Sequence, residues 1–252
     1  MINYVINLDR RPDRMDEFMG KLNKTSEFSK ETFIRISAFD GFNHEDEIKR
    51  YNLDNFIIIK MLRQNKVVVK KGVLGCFMSH IIALYNILQN KDIKDDDYVG
   101  IYEEDIFYSE DFDIKYKKFK EIKEINLSEL DVEFIYTGGR FKPDFKSDDS
   151  DMFEKTENPN IYLRKFLKKG SGSIWDRSTQ SYIIKKSSCS KFIKLLTIKC
   201  INNILKLTTI DTLYNSLTKD IKMFDYFPHL FYTEINYKTD VQTNLEDDLI
   251  YF

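Results

Sequence analysis

The 252-residue chain has few residues that would stiffen or cross-link it: four prolines, nine glycines, three cysteines and one tryptophan. Cys76, Cys189 and Cys200 are odd in number and lie in apolar segments. That argues against a disulfide frame or a zinc site and for buried thiols in a reducing compartment, so a cytoplasmic location is expected. Charge of one sign is also lacking. Lys+Arg number 39 against 41 Asp+Glu, a net charge of −2. A general nucleic-acid binder usually shows a basic excess, so that class is disfavoured, though a local basic pocket is not. The first residues, Met1 to Asp9, carry no basic n-region, and no run approaches about 18 apolar residues, so neither a signal peptide nor a transmembrane segment is expected.

Apolar and aromatic residues, by contrast, are ample at 42% and 14% of the chain, enough for one large domain with a full core. The densest chemistry lies in Tyr98-Val-Gly-Ile-Tyr-Glu-Glu-Asp-Ile-Phe-Tyr108. β-Branched and aromatic flanks predict a buried strand running through Glu103, Glu104 and Asp105. Strand alternation would send Glu103 and Asp105 to one face and Glu104 to the other. Carboxylates beside a core are unfavourable unless paired or bound to a cation, and a hard divalent cation prefers oxygen ligands. An acidic tip open to solvent is the alternative.

Ile2 to Leu8 reads as a first strand. A helix follows, with Pro12 in its first turn and Met15, Phe18, Met19 and Leu22 on one face. Strand, loop and helix at the start point to a layered α/β domain. The loop carries Arg10, Arg11 and Arg14, which oppose the helix dipole and make sense beside an anion. Ion pairs with Asp9, Asp13 and Asp16 are the competing explanation. Gly72 to His80 opens the longest helical pattern, to about Asn90, with Val73, Phe77, Ile81, Leu84 and Leu88 as its core face. Ser79 and His80 are polar residues inside that stretch. Further strands are expected at Thr32–Phe39, Asp131–Tyr136, about Ile161–Leu167 as an edge, and Ser181–Ile184. A helix capped by Ser187 or Ser188 follows, then a short one from Ile210. Residues 141–160 read as a long polar loop, and Gly138-Gly139 as a turn or a close backbone approach to a ligand.

In this order the segments resemble glycosyltransferase family 25, which includes collagen and lipooligosaccharide galactosyltransferases. The matching residues are Val5-Ile-Asn-Leu-Asp-Arg-Arg-Pro-Asp-Arg14, Gly72-Val-Leu-Gly-Cys-Phe-Met-Ser-His80 and Glu103-Glu-Asp105. Weaker matches are Tyr136-Thr-Gly138, Ser181-Tyr-Ile-Ile184, Asp211-Thr-Leu-Tyr214 and Thr239-Asp240. The chain departs from the family at Glu104, where an Asp is usual, and at Thr212, where a second acid is usual.

The resemblance implies a GT-A-type fold, a mixed central sheet flanked by helices in a single domain over 1–252. The donor-binding half would be about 1–140 and the acceptor half about 141–252, with a mobile loop near 141–177 whose Trp175 could stack on a sugar. It implies a UDP-sugar donor, galactose first with glucose or N-acetylglucosamine behind, a Mn2+ or Mg2+ ion, inversion at the anomeric carbon, and a glycan or hydroxylated peptide acceptor. By the same resemblance Glu103 and Asp105 hold the metal. Asn7, Leu8, Arg10, Arg11, Arg14, Gly75, Ser79, His80 and Glu104 would line the donor site. Asp211, then Asp240, would be the base. The aromatic C-terminal region is open to core packing or a homodimer contact. An inactive nucleotide-sugar-binding relative is a second reading, and a metal-dependent phosphohydrolase a third, without a further His or Asp-x-Asp cluster to support it.

Overall fold

In a computed structural model of the chain, residues 1–127, 129–140, 153–165, 179–202, 210–233 and 249–252 are described. The spine is an eight-stranded mixed sheet. Its first three neighbours are β2 (Thr32–Ser37), β1 (Ile2–Asn7) and β4 (Tyr98–Glu103), all parallel. Then come β10 (Ser181–Lys185), antiparallel to both neighbours, β6 (Phe134–Tyr136), and β11 (Met223–Tyr226), parallel to β6. β9 (Ile161–Arg164) and β8 (Phe153–Lys155) finish the sheet as an antiparallel hairpin.

Side chains alternate between two cores, as the period of a strand requires. Tyr4, Ile6, Val99, Ile101, Tyr182 and Ile184 enter one core. Val5, Tyr102 and Ile183 enter the other. Helices α3 (Ile57–Gln64), α4 (Lys71–Gln89), α6 (Lys186–Asn202) and α7 (Ile210–Leu217) supply the first core. Helices α1 (Pro12–Leu22) and α5 (Phe112–Asn126) cover the second face. The result is the three-layer α/β sandwich expected of mixed and parallel sheets, which are buried on both faces. The remaining elements are α2 (His44–Arg50), a sheet of β5 (Phe107–Tyr108), β12 (Phe231–Thr233) and β7 (Gly138–Arg140), and the pair β3 (Val68–Lys70) with β13 (Leu249–Tyr251).

Several expectations change. The strand through the acids stops at Glu103, and Phe107-Tyr108 belongs to the three-stranded sheet, so Glu104 and Asp105 lie in a turn between two sheets. Face alternation therefore does not extend to them. Ile161–Arg164 is not an edge strand but is covered by β8, and residues 153–164 of the expected mobile loop form that ordered hairpin. The rest of the loop, with Trp175, lies outside the described residues. Helix α6 starts at Lys186, directly after β10, without a Ser187 or Ser188 cap. The glycines after β6 lie in strand β7, and what they admit is the protein's own: a Cβ on Gly138 would lie 3.0 Å from Phe231 O. A Cβ on Gly139 would lie 2.5 Å from the His229 ring.

Through Leu84 helix α4 is buried on nearly every side, since Leu74, Met78, Ile82 and Ala83 are buried along with Val73, Phe77, Ile81 and Leu84 of the expected face, while Leu88 is half-buried and Tyr85 exposed. By length and composition it could cross a membrane, which the sequence reading did not anticipate, and 67% of that window is buried inside the protein. A helix apolar all round is what a position between a sheet and a second helix layer demands.

Candidate functional site

Strands β1 and β4 run parallel and in register, with Ile6 opposite Glu103. Their carboxyl ends thus leave the sheet together. Ligands of open α/β sheets bind at such ends. The loop from β1 into α1 and the acid turn after β4 are neighbours, and Arg14 Nη1 reaches Glu104 Oε1 at 3.4 Å, both side chains being buried. The anion that Arg14 meets is therefore a carboxylate of the protein. Arg10 pairs with Asp40 at 2.8 Å and Arg11 with Asp13 at 2.8 Å. The ion-pair reading is right in kind for Arg11, whereas Asp9 pairs with Arg35 and Arg50.

The three acids differ in what surrounds them. Glu103 is the most open, at 25% side-chain exposure. It accepts from Thr179 Oγ1 at 3.1 Å and faces His80 Nε2 at 3.2 Å. Its backbone N–H donates to Gln180 O at 2.9 Å, which fixes it against the strand leading into β10. Glu104 and Asp105 are 9% and 8% exposed. Burial pushes the Glu104 carboxyl up to about 7, partly opposed by Arg14. Burial, then repulsion from Glu103 and Glu104, pushes Asp105 up to about 8. Desolvation and like charge disfavour the ionised form of an acid, and a cation between the acids would relieve both.

These carboxylates fit a hard divalent ion by donor type, since such ions take one or two protein carboxylates and complete their shell with phosphate oxygens and water. They do not form a closed cage. The only set of three candidate ligands converging within 4.8 Å among the described residues is Cys76, His80 and Glu103.

The other expected donor-site residues divide sharply. Asn7 is fully buried; its amide donates to Arg11 O at 2.9 Å and accepts from Arg35 Nε at 2.9 Å. It shapes the β1–α1 loop from within. Leu8 packs on the first core. Ser79 Oγ accepts from Phe39 N–H at 2.9 Å and donates to Gly75 O at 2.7 Å. Gly75 lets α4 lie against the loop after β2, because a Cβ there would sit 3.0 Å from Phe39 O. Gly75 and Ser79 thus dock the helix, while His80 meets Glu103 at 3.2 Å and Cys76 lies within 4.8 Å of the same carboxylate. His80 Nδ1 meets Tyr182 Oη at 2.9 Å, and Tyr182 Oη meets Tyr214 Oη at 3.1 Å. One chain of hydrogen bonds joins α4, β4, β10 and α7. Asp211 is the second residue of α7, one turn before Tyr214. Asp240 lies outside the described residues.

A family model described as glycosyltransferase family 25 (LPS biosynthesis protein) matches residues 1–214, which include the Val5–Arg14, Gly72–His80 and Glu103–Asp105 segments. The chain belongs to glycosyltransferase family 25. Membership makes it a glycosyltransferase, and the layered mixed sheet agrees with the fold expected of the family. No curated protein matches the chain. Solved structures of remote likeness include the following two. The mannose-1-phosphate geranyltransferase from Thermus thermophilus is 8% identical at a TM-score of 0.40, over 89% of this chain and 72% of that one. A glycosyltransferase involved in the glycosylation of the major capsid of PBCV-1 is 9% identical at a TM-score of 0.26, over 90% and 94%. Likeness at that level assigns nothing further.

Sequence reasoning missed Tyr182, Tyr214 and Thr179, which orient His80 and Glu103, and it dismissed Cys76 as a metal ligand. The i, i+4 spacing of Cys76 and His80 was a legible signal, since such residues share a helix face.

Proposed function

We propose that this family 25 glycosyltransferase moves a hexose, galactose first, from a UDP-sugar to a hydroxyl of a glycan or hydroxylated peptide, with inversion. The observation that carries the proposal is Asp105: a buried carboxyl pushed up to about 8, in a turn beside the arginine-bearing loop, at the carboxyl end of parallel strands. A protein that keeps such an acid under-compensated is holding a place for positive charge.

A divalent ion held by Glu103 and Asp105 would supply Lewis-acid neutralisation of the leaving diphosphate. The protein's own groups prepare the site. Thr179 and His80 hold Glu103 Oε1 in place, so its other oxygen stays available. Arg14 turns Glu104 away from that position and adds positive charge on the α1 side. Arg11 sits in a half-exposed pair, which exchanges readily for a phosphate because such pairs contribute little, whereas Arg10 is tied to the buried Asp40. Inversion requires a carboxylate that takes the acceptor proton, and Asp211 is the first candidate because α7 is tied to the site through Tyr214. Asp240 is the second.

Thermal unfolding with UDP, Mn2+, both and neither tests the donor site, since a ligand of the folded state raises its stability. Joint stabilisation by UDP and Mn2+ is expected. Its absence would remove the UDP-sugar reading. A panel of nucleotide sugars, read by UDP release, then ranks the hexoses. Asp211→Asn should lower turnover by about 10²–10⁴-fold with UDP binding retained; a collapse of UDP binding instead would place Asp211 in the donor site.

A further inference from the structure

Cys76 and His80 lie one helical turn apart on α4, and their ligand atoms converge with a carboxylate oxygen of Glu103 within 4.8 Å of one another. We propose that Cys76, His80 and Glu103 form a site for a thiophilic divalent ion of the zinc class, sharing Glu103 with the donor-metal position. The sharing rests on the functional reading above; the site itself does not.

The geometry suits such an ion. Metal–ligand lengths of about 2.0–2.3 Å in a tetrahedron place ligand atoms about 3.3–3.8 Å apart. His80 Nε2 and Glu103 Oε1 already stand 3.2 Å apart, so an ion enters by replacing their hydrogen bond. The imidazole is held from behind at Nδ1 by Tyr182 Oη at 2.9 Å, and it stacks on the Tyr182 ring. A histidine ligand ordinarily has its second nitrogen fixed in this way. Glu103 is steadied by Thr179 Oγ1 at 3.1 Å. Cys76 is half-buried, unlike the buried Cys189 and Cys200, and Glu103 is 25% exposed, so solvent reaches the cluster from the Cys76 and Glu103 side.

Protons balance on binding. The Cys76 thiol releases one proton to solvent. In the Nε2–H tautomer of His80 that proton moves to Nδ1 as the Tyr182 hydroxyl turns to donate to Tyr214, and in the Nδ1–H tautomer no ring proton moves. Three ligands leave a fourth position for water. Thiolate and imidazole select zinc-class ions, whereas Mn2+ and Mg2+ prefer oxygen sets. A zinc-class ion on Glu103 Oε1 would draw charge from the carboxylate that the donor metal shares and repel a second cation on its other oxygen, so it acts as an inhibitor that opposes Mn2+.

Cobalt(II), a spectroscopic stand-in for zinc, tests the site without any donor or acceptor. Titrating the metal-stripped full chain should give visible bands of a four-coordinate ion and a near-ultraviolet thiolate-to-cobalt charge-transfer band. That band should vanish in Cys76→Ala and persist in Cys189→Ala. Its absence from the unaltered protein, or its survival in Cys76→Ala, overturns the proposal. Near-ultraviolet circular dichroism checks folding of the variant; should Cys76→Ala not fold, Cys76→Ser must lose the sulfur band while keeping the fold. In a second arm, Zn2+ should abolish the joint UDP and Mn2+ stabilisation of the unaltered protein and spare that of Cys76→Ala. Cobalt bands without any UDP and Mn2+ stabilisation would sink the donor-metal reading and leave this site standing. The converse would sink this site alone.

Discussion

Asp9 and Asp105 both follow the carboxyl ends of adjacent parallel strands, yet their surroundings are opposite. Asp9 accepts from Ser37 Oγ at 2.7 Å, Arg35 at 2.7 Å and Arg50 at 2.8 Å. Those hydrogen bonds, that of Ser37 first, hold its carboxyl down to about 2. Asp105 is buried beside two other acids and is pushed up to about 8. A carboxylate saturated by the protein has no capacity left for a ligand, and a starved one has. The comparison teaches that an acid's position at a sheet edge does not mark a site; its unmet demand for positive charge does.

The largest effect should separate the two acids outright. Asp105→Ala should lower transfer by about 10²–10³-fold or more, the scale of losing one preorganised electrostatic group, and erase the stabilisation by UDP with Mn2+. Asp9→Ala should leave both within a few-fold. Equal losses in the two variants, measured by UDP release, would break the contrast. Next in size, Arg14→Gln removes the cation paired with Glu104 from a buried position. Leaving one partner of a buried pair uncompensated typically costs about 3–5 kcal/mol, so a lower thermal midpoint is expected, recovered in part by Mn2+.

Titration gives a third separation, of opposite sign at the two acids. For Asp105 the folded carboxyl lies at about 8 against an ordinary 3.8, so the folded state holds the extra proton between those values. Stability therefore falls as pH rises through that window, and Asp105→Asn should flatten the fall. At pH 8, without metal, that variant should be the more stable protein by about 1–2 kcal/mol, roughly 2–8 °C. For Asp9 the folded value of about 2 lies below 3.8, so its stabilisation is present above the ordinary value and is lost as pH falls through about 2. Thermal midpoints of Asp105→Asn and Asp9→Asn from pH 2 to 9 should show these trends; parallel curves would contradict the assignment. The smallest effect is expected at pH 7 for Asp9→Asn. Its side chain is 48% exposed and its pairs are screened, so a midpoint within a few degrees of the unaltered protein should result.

Much of the fold was legible before the structure. Apolar runs with strand residues marked β1, β4 and β10, and helical spacing marked α1 and α4. The end of β4 was not legible, because Ile106-Phe107-Tyr108 has the local pattern of a continuing strand; only pairing of Tyr108 with Phe231 assigns it to another sheet. β9 was read as a strand but placed at the edge, because its partner β8 was hidden in a polar run where alternation is weak. In the Gly72–His80 motif, residue type could not separate docking from chemistry. Ser79 is consumed by the Phe39 backbone and His80 is aimed at Glu103, and both partners are distant in sequence.

The sequence by itself determined the layered α/β plan, the family motifs and the identity of the acids, because these depend on periodicity and on residue chemistry. Only the tertiary structure decided which acid is satisfied, which arginine faces the turn and that Cys76 meets His80 and Glu103. The physical reason is that a charged group's state depends on the dielectric and the partners around it, and here those come from chain segments tens of residues away.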